Sequence, residues 1–280
     1  MHEILRPLGA GSRVLDLGCY EGSFGPECCP HAQVIRLDRA SHPAASGFVQ
    51  ADAARLPFCS ETFNAVVANH CLEHMDEVDC VLREIGRVTR RGGSLFVSVP
   101  DGSSWSDRVY RWVYHGGEHV NLFSSVGALA ARISAQTNLD LAAVRVLYSS
   151  FWFLNGARFE PRPPRKLWLL GNGNLRAIAW LTYALRIADR LLGTRTSVYG
   201  WALYFGQVTE PIETDSWTNV CVGCGLGRSA ESLIANRRLR RRIFLPPSYW
   251  CPACGAWNLF TSDPPAPSPP TSLNLQNENR

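Results

Sequence analysis

Four short apolar runs each end in a polar residue, spaced as a nucleotide-like ligand would require. Asp16 lies in the first run, Val14–Leu17, and Gly18, Gly22 and Gly25 follow it. A glycine adopts positive φ without a Cβ penalty and lets a ligand approach the backbone. Asp38 closes the second run, Val34–Leu37, where a carboxylate can accept two hydrogen bonds from ribose hydroxyls. Asp52 and Ala53 follow a third run within GFVQADAARLPF, and Asn69 closes a fourth within FNAVVANHCLEHM. Buried, β-prone runs of this length handing over to glycine turns are the mark of parallel strands in an open α/β sheet, whose ligands bind at the carboxyl ends. The glycine spacing is G-x-x-x-G-x-x-G, with Tyr20 where a dinucleotide fingerprint has its second glycine. A helix N-terminus receiving a pyrophosphate is therefore not the best reading.

A second constellation lies near the other end of the chain. Cys221-Val-Gly-Cys224-Gly and Cys251-Pro-Ala-Cys254-Gly are paired C-x-x-C-G knuckles. Two thiolates on one tight turn hold adjacent corners of an ion, and two such turns complete a tetrahedron. The pattern resembles a zinc ribbon, which implies a structural Zn2+ with no open coordination position and so no catalytic role. The 26 residues between the knuckles leave room for a β-hairpin and contain five arginines in the six positions 237–242. That run suits phosphates of RNA, a nucleotide or lipid headgroups, or simply a solvated ribbon loop. The other six cysteines are scattered, as reduced thiols in a cytosolic α/β protein would be.

Other elements must position these groups. Asp76–Arg90 reads as an amphipathic helix with Val78, Val81, Leu82, Ile85 and Val88 on one face. Residues 90–100 read as a Gly-Gly turn followed by a buried strand, and 101–123 as a substrate-facing loop. Leu139–Ser149 and Val198–Val208 read as the last two strands. The 48 residues between them hold a Pro- and Arg-rich linker, Arg158–Lys166, and a helix, Leu175–Leu192. That helix has a wide apolar face and a narrow polar stripe of Thr182, Arg186, Asp189 and Arg190. Packing as a lid, lying on a membrane surface, and binding a partner or second subunit are all open to it.

Taken together, the segments over residues 10–150 and 198–208 resemble the class I S-adenosylmethionine-dependent methyltransferases. The resemblance implies an α/β fold: a Rossmann-like, seven-stranded, mostly parallel sheet with helices on both faces, followed by the small C-terminal zinc ribbon. It implies S-adenosylmethionine as co-substrate, with Asp16, Gly18 and Gly22 at its methionine end, Asp38 on the ribose, Asp52 and Ala53 flanking the adenine, and Asn69 beside the sulfonium. Tyr20 departs from the family, which usually has glycine there. His119-Val-Asn-Leu-Phe123 resembles the H-x-x-x-F element of small-molecule branches, making His119 a candidate for acid–base help, with a loop-orienting role as its alternative. His70 is a second candidate. The D/N-P-P-Y/F signature of amino-group enzymes acting on nucleic acids is absent, and Cys71 lacks the preceding proline of the cytosine-C5 enzymes.

Composition bounds the rest. The chain has 280 residues, 46% of them hydrophobic, enough for a sizeable core. Its formal charge of +4 divides into −3 over residues 1–160 and +7 over 161–280. Neither a signal peptide nor a run of about 18 apolar residues is expected. The expected organisation is a methyltransferase domain at 1–150 and 198–212, an insertion at 151–197, a zinc ribbon at 216–260 and a disordered tail at 261–280. The expected acceptor is a small molecule, lipid or glycan precursor methylated at oxygen, in the cytoplasm or at the inner face of a membrane contacted through 165–192. An RNA or ribosomal acceptor docked through the ribbon, and a non-catalytic cofactor-binding scaffold, are the alternatives.

Overall fold

Apolar runs that are continuous rather than alternating belong to strands covered on both faces. In the computed structural model, which describes residues 1–41, 47–114, 119–154, 174–212 and 217–262, the four runs are β1 (Arg13–Leu17), β2 (Gln33–Asp38), β3 (Phe48–Gln50) and β4 (Phe63–Asn69). A single turn of helix, α1 (His2–Leu5), precedes them. α2 (Val78–Val88), β5 (Thr89–Pro100), α3 (Trp105–Val113), α4 (Val126–Thr137), β6 (Leu141–Tyr148), α5 (Leu175–Leu192) and β7 (Val198–Gly206) follow. The seven strands form one sheet in the order β3-β2-β1-β4-β5-β7-β6. The pairs β1–β2, β2–β3, β1–β4 and β4–β5 are parallel. The chain runs outward from β1 to β3 and returns to β4, so the strand order reverses beside β1. That is the switch point at which open α/β sheets bind ligands.

The chain divides into two compact units. One comprises Met1–Pro100, Val120–Arg145 and Trp201–Glu213; the other comprises Asp101–His119, Val146–Gly200 and Thr214–Arg280. In the first, α2 lays Val78, Val81, Leu82, Ile85 and Val88 on the sheet core of Leu15, Leu17, Val66, Ala68, Leu95 and Val97, as its periodicity predicts. α4 crosses α2 closely, because a Cβ on Gly86 would stand 2.7 Å from the Thr137 Cα. The Gly92-Gly93 step is not a turn before β5 but a bulge inside it. Phe63 pairs with Thr89 and Ala65 with Ser94, so β5 spends five positions where β4 spends two. Gly92 supplies a φ of +73°, and a Cβ on Gly93 would meet the Arg90 carbonyl oxygen at 2.8 Å.

The second unit holds two helices and the cysteine knuckles. α3 occupies part of the segment read as a loop, and Ser104 caps it by accepting from the Asp107 N–H. α5 has the expected limits, with Asn174 as N-cap and Gly193 at φ +66° as C-cap. Its Ile178 and Ala179 pack with Val113, Phe151, Phe153, Leu154 and Val222. Half of the polar stripe faces inward, while Arg190 is exposed. Thr182 and Arg186 are buried: Thr182 Oγ1 donates to the Ile178 carbonyl at 2.7 Å, with the Ser150 carbonyl at 3.3 Å, and Arg186 Nη2 donates to the Ser149 carbonyl. Buried carbonyls need donors, so polarity on this face satisfies backbone rather than meeting water. Between the knuckles lie α6 (Ala230–Ala235), β8 (Arg240–Arg242) and β9 (Leu245–Trp250), with β10 (Trp257–Leu259) after them, forming a sheet in the order β10-β9-β8. The linker 158–166 and the tail beyond 262 lie outside the described residues. Among the described residues no helix is long and apolar enough to cross a membrane.

The exit of α5 is tied by one carboxylate. Asp189 Oδ1 accepts from Thr194 Oγ1 and from the Thr196 N–H and hydroxyl; Oδ2 accepts from the Ser197 N–H and hydroxyl. Burial opposes its ionisation, but these donors outweigh burial and its pKa lies below the ordinary value. Its contribution should therefore be complete above the unfolded carboxylate pKa of about 3.9 and fade as pH falls through the lower folded value. Asp189→Asn should destabilise the protein by about 2–4 kcal/mol at neutral pH, read by urea unfolding, with the difference from wild type shrinking in acid.

Candidate active site

Asp16, Asp38, Asp52 and Asn69 come together along one edge of the first unit, at or just beyond the carboxyl ends of β1, β2, β3 and β4. Asp16 is fully buried. Its Oδ2 accepts from the Ser23 N–H at 2.9 Å and lies 4.0 Å from Arg36 Nε, while its Oδ1 has no hydrogen-bond partner among the described residues. Burial pushes this carboxyl above its ordinary pKa, against the pull of Ser23 and Arg36. The turn after β1 is strung on β2: the Gly18 and Cys19 N–H groups both donate to the Leu37 carbonyl, and the Tyr20 N–H donates to Asp38 Oδ2 at 2.9 Å. Asp38 Oδ1 accepts from the Ala40 N–H, leaving further lone pairs on both oxygens.

The glycines divide the work. Gly18 has a φ of +64°, and a Cβ there would stand 2.5 Å from the Cys71 Cβ. Gly22, at φ +113°, faces the Arg36 guanidinium, whose Nε would stand 3.3 Å from a Cβ. Tyr20 has a φ of +45°, which explains why glycine suits its position; its side chain is exposed. Asp52 caps the turn after β3 by accepting from the Ala54 N–H. Asn69 Oδ1 accepts from the Ser98 hydroxyl on the adjacent β5. His70, at φ +51°, donates its N–H to the Ser98 carbonyl, and its Nδ1 is 3.5 Å from Glu73 Oε1. Burial pushes the Cys19 thiol up to about 11 and the Cys71 thiol well above its ordinary value, so neither is a thiolate nucleophile at neutral pH.

His119 belongs to the second unit, where its ring stacks on Tyr110 and its Nδ1 is 3.2 Å from Asp107 Oδ1. Asp107 is fully buried and also accepts from Arg111 Nε at 2.6 Å. The His119 side chain is 4% exposed. The knuckles are near copies. The Gly225 N–H donates to the Cys221 carbonyl and the Gly255 N–H to the Cys251 carbonyl, with φ of +76° and +72°. Cys221 and Cys254 Sγ are 3.6 Å apart, Cys224 and Cys251 Sγ 3.7 Å, and all four lie within 4.8 Å of one another. Sequence reading missed Arg36, Ser98 and Asp107. Arg36 is a charge inside an apolar run, and Ser104-x-x-Asp107 has the spacing of a helix capping box, so both left a signal.

Residues 15–97 match the family described as "Methyltransferase domain". The chain is 28% identical over 158 residues to malonyl-[acyl-carrier protein] O-methyltransferase of Methylococcus capsulatus, covering 50% of this chain and 58% of that protein. It is 34% identical over 113 residues to demethylmenaquinone methyltransferase of Beutenbergia cavernae, covering 36% and 47%. The solved structure of a SAM-dependent methyltransferase from Archaeoglobus fulgidus aligns with 72% of this chain and 89% of that one, at 16% identity and a TM-score of 0.47. The chain spans about half the length of the curated relatives it matches.

Gly18→Ala tests the tightest approach in this edge. With positive φ and no space beside Cys71, it should cost about 2–4 kcal/mol, seen as a lower denaturation midpoint with unchanged slope.

Proposed function

We propose that this chain is a class I methyltransferase that transfers a methyl group from S-adenosylmethionine to a small molecule, at oxygen, a reading supported by the methyltransferase-domain match and the strand order. The observation that supports this most is the row of polar groups at the carboxyl ends of four adjacent strands. Within it lie a buried Asp16 oxygen without a hydrogen-bond partner among the described residues and spare acceptor capacity on Asp38. These fit an adenosyl amino acid, which offers an ammonium group and a ribose diol. In this reading Asp16, Gly18 and Gly22 hold the methionine end, Asp38 accepts from both ribose hydroxyls, Asp52 and Ala53 flank the adenine, and Asn69 lies beside the sulfonium. The co-substrate supplies an activated methyl on a good leaving group. The protein's own share is then binding, alignment and exclusion of water.

A small-molecule acceptor is favoured by the names of the relatives, one an O-methyltransferase of malonyl-acyl-carrier protein and another a demethylmenaquinone methyltransferase. His119 is assigned the acceptor's proton. The Asp107 carboxylate, 3.2 Å from Nδ1, places a negative charge beside the ring that would offset the imidazolium formed when that proton is taken up. His70 is the second candidate for this role. The four cysteines are assigned a structural Zn2+: bonds of about 2.3 Å to sulfur give tetrahedral edges of about 3.8 Å, close to the sulfur separations of 3.6 and 3.7 Å.

Three measurements follow. Calorimetry should detect S-adenosylmethionine binding, and Asp38→Ala should weaken it about ten- to a hundredfold by removing charge-assisted hydrogen bonds; no binding by wild type would end this reading. His119→Ala should lower turnover of a labelled-methyl assay while leaving cofactor affinity unchanged; unaltered turnover would make His119 a loop anchor. Purified protein should contain one zinc per chain, and Cys251→Ser should lose it and unfold at lower temperature.

A further inference from the structure

The hairpin between the knuckles ends in an apex that neither its fold nor its cysteines require. Arg242 pairs with Leu245 across β8 and β9, so Ile243 and Phe244 form a two-residue turn. Phe244 is 100% exposed and Ile243 83%. Phe244 also has a φ of +66°, where turns normally place glycine or asparagine. Solvent and backbone both disfavour phenylalanine here, and full exposure means that no packing offsets the cost. A strained residue with no structural return points to function. Around the apex stand the exposed side chains of Arg237, Arg238, Arg240 and Arg241. Among the described residues no acid pairs with them. β8 is the edge of its sheet, and edge protection would account for arginine on it, but not for an apolar tip.

We propose that this hairpin is a docking element for an anionic lipid surface. Ile243 and Phe244 enter the boundary between headgroups and acyl chains, and the four arginines meet the lipid phosphates. Reversible membrane binding takes two signals, an apolar insertion and a basic patch, and both are present within eight residues, 237–244. A two-residue tip buries far less than the about 1,000 Å² of a specific protein interface. A single-stranded nucleic acid would need several stacking faces beside the arginines; Tyr249 is buried, and Trp250 lies at the far end of β9. Pro246 and Pro247, one residue beyond the tip, stiffen the arm that presents it.

Co-sedimentation of the full chain with phosphatidylcholine vesicles, with and without phosphatidylglycerol, tests this surface independently of the methyl acceptor. Binding should require phosphatidylglycerol and fall as salt is raised. Phe244→Gly suits the turn's φ, so the fold and the unfolding temperature should be kept while vesicle affinity falls about tenfold or more. Arg240→Ala with Arg241→Ala should cost about fivefold per arginine. Wild-type affinity in Phe244→Gly, no vesicle binding by wild type, or capture by polyuridylate in place of vesicles would each overturn the proposal.

Discussion

A carboxylate with no access to water stands at the end of the central strand β1, and the site is built around containing it. Asp16 is fully buried between β2 and β4, opposite Arg36 and Val67. An ionised group there survives only if it is hydrogen-bonded and paired. The compensation comes from the next seven residues: the turn folds back until the Ser23 N–H reaches Asp16, with Arg36 beyond it. That path forces the positive φ values at Gly18, Tyr20 and Gly22 and the close approach of Gly18 to Cys71. It also brings the Tyr20 N–H to Asp38, linking the ends of β1 and β2. One carboxylate oxygen is left over, at the edge where this fold class takes its ligand.

The second unit repeats the theme with different chemistry. Its helix α5 turns Thr182 and Arg186 inward, where Arg186 serves the Ser149 carbonyl, and at its end Asp189 collects five donors from Thr194, Thr196 and Ser197. Its ribbon core is small, centred on Ala230, Leu233, Tyr249 and Phe260. So small an apolar cluster is a weak source of stability on its own, and the tetrahedral ion proposed for the four cysteines would supply what it lacks.

Much of this was legible in the sequence because it follows from local pattern. Apolar runs holding or followed by Asp or Asn located β1, β2, β3 and β4, and a wide apolar face located α5 to the residue. Three things were not legible. The Gly92-Gly93 pair reads as a turn, but the register across β4 and β5 makes it a bulge, and register is a property of two strands. The sequence leaves open what the narrow polar stripe of α5 meets, and the Ser149 carbonyl, distant in sequence, is what takes Arg186 inward. The arginine run reads as one basic stretch; only the hairpin register shows Phe244 at its apex. At the site, acids and glycines were visible by type, while Arg36 and Ser98 act through partners on neighbouring strands.

The most direct test is a crystal structure of the full chain with S-adenosylhomocysteine. The ribose hydroxyls should lie within hydrogen-bond distance of the Asp38 carboxylate, with the amino-acid end over the turn from Gly18 to Gly22. A ligand bound with its ribose away from Asp38, or density elsewhere on the protein, would contradict the assignment of this edge as the methyl-donor site.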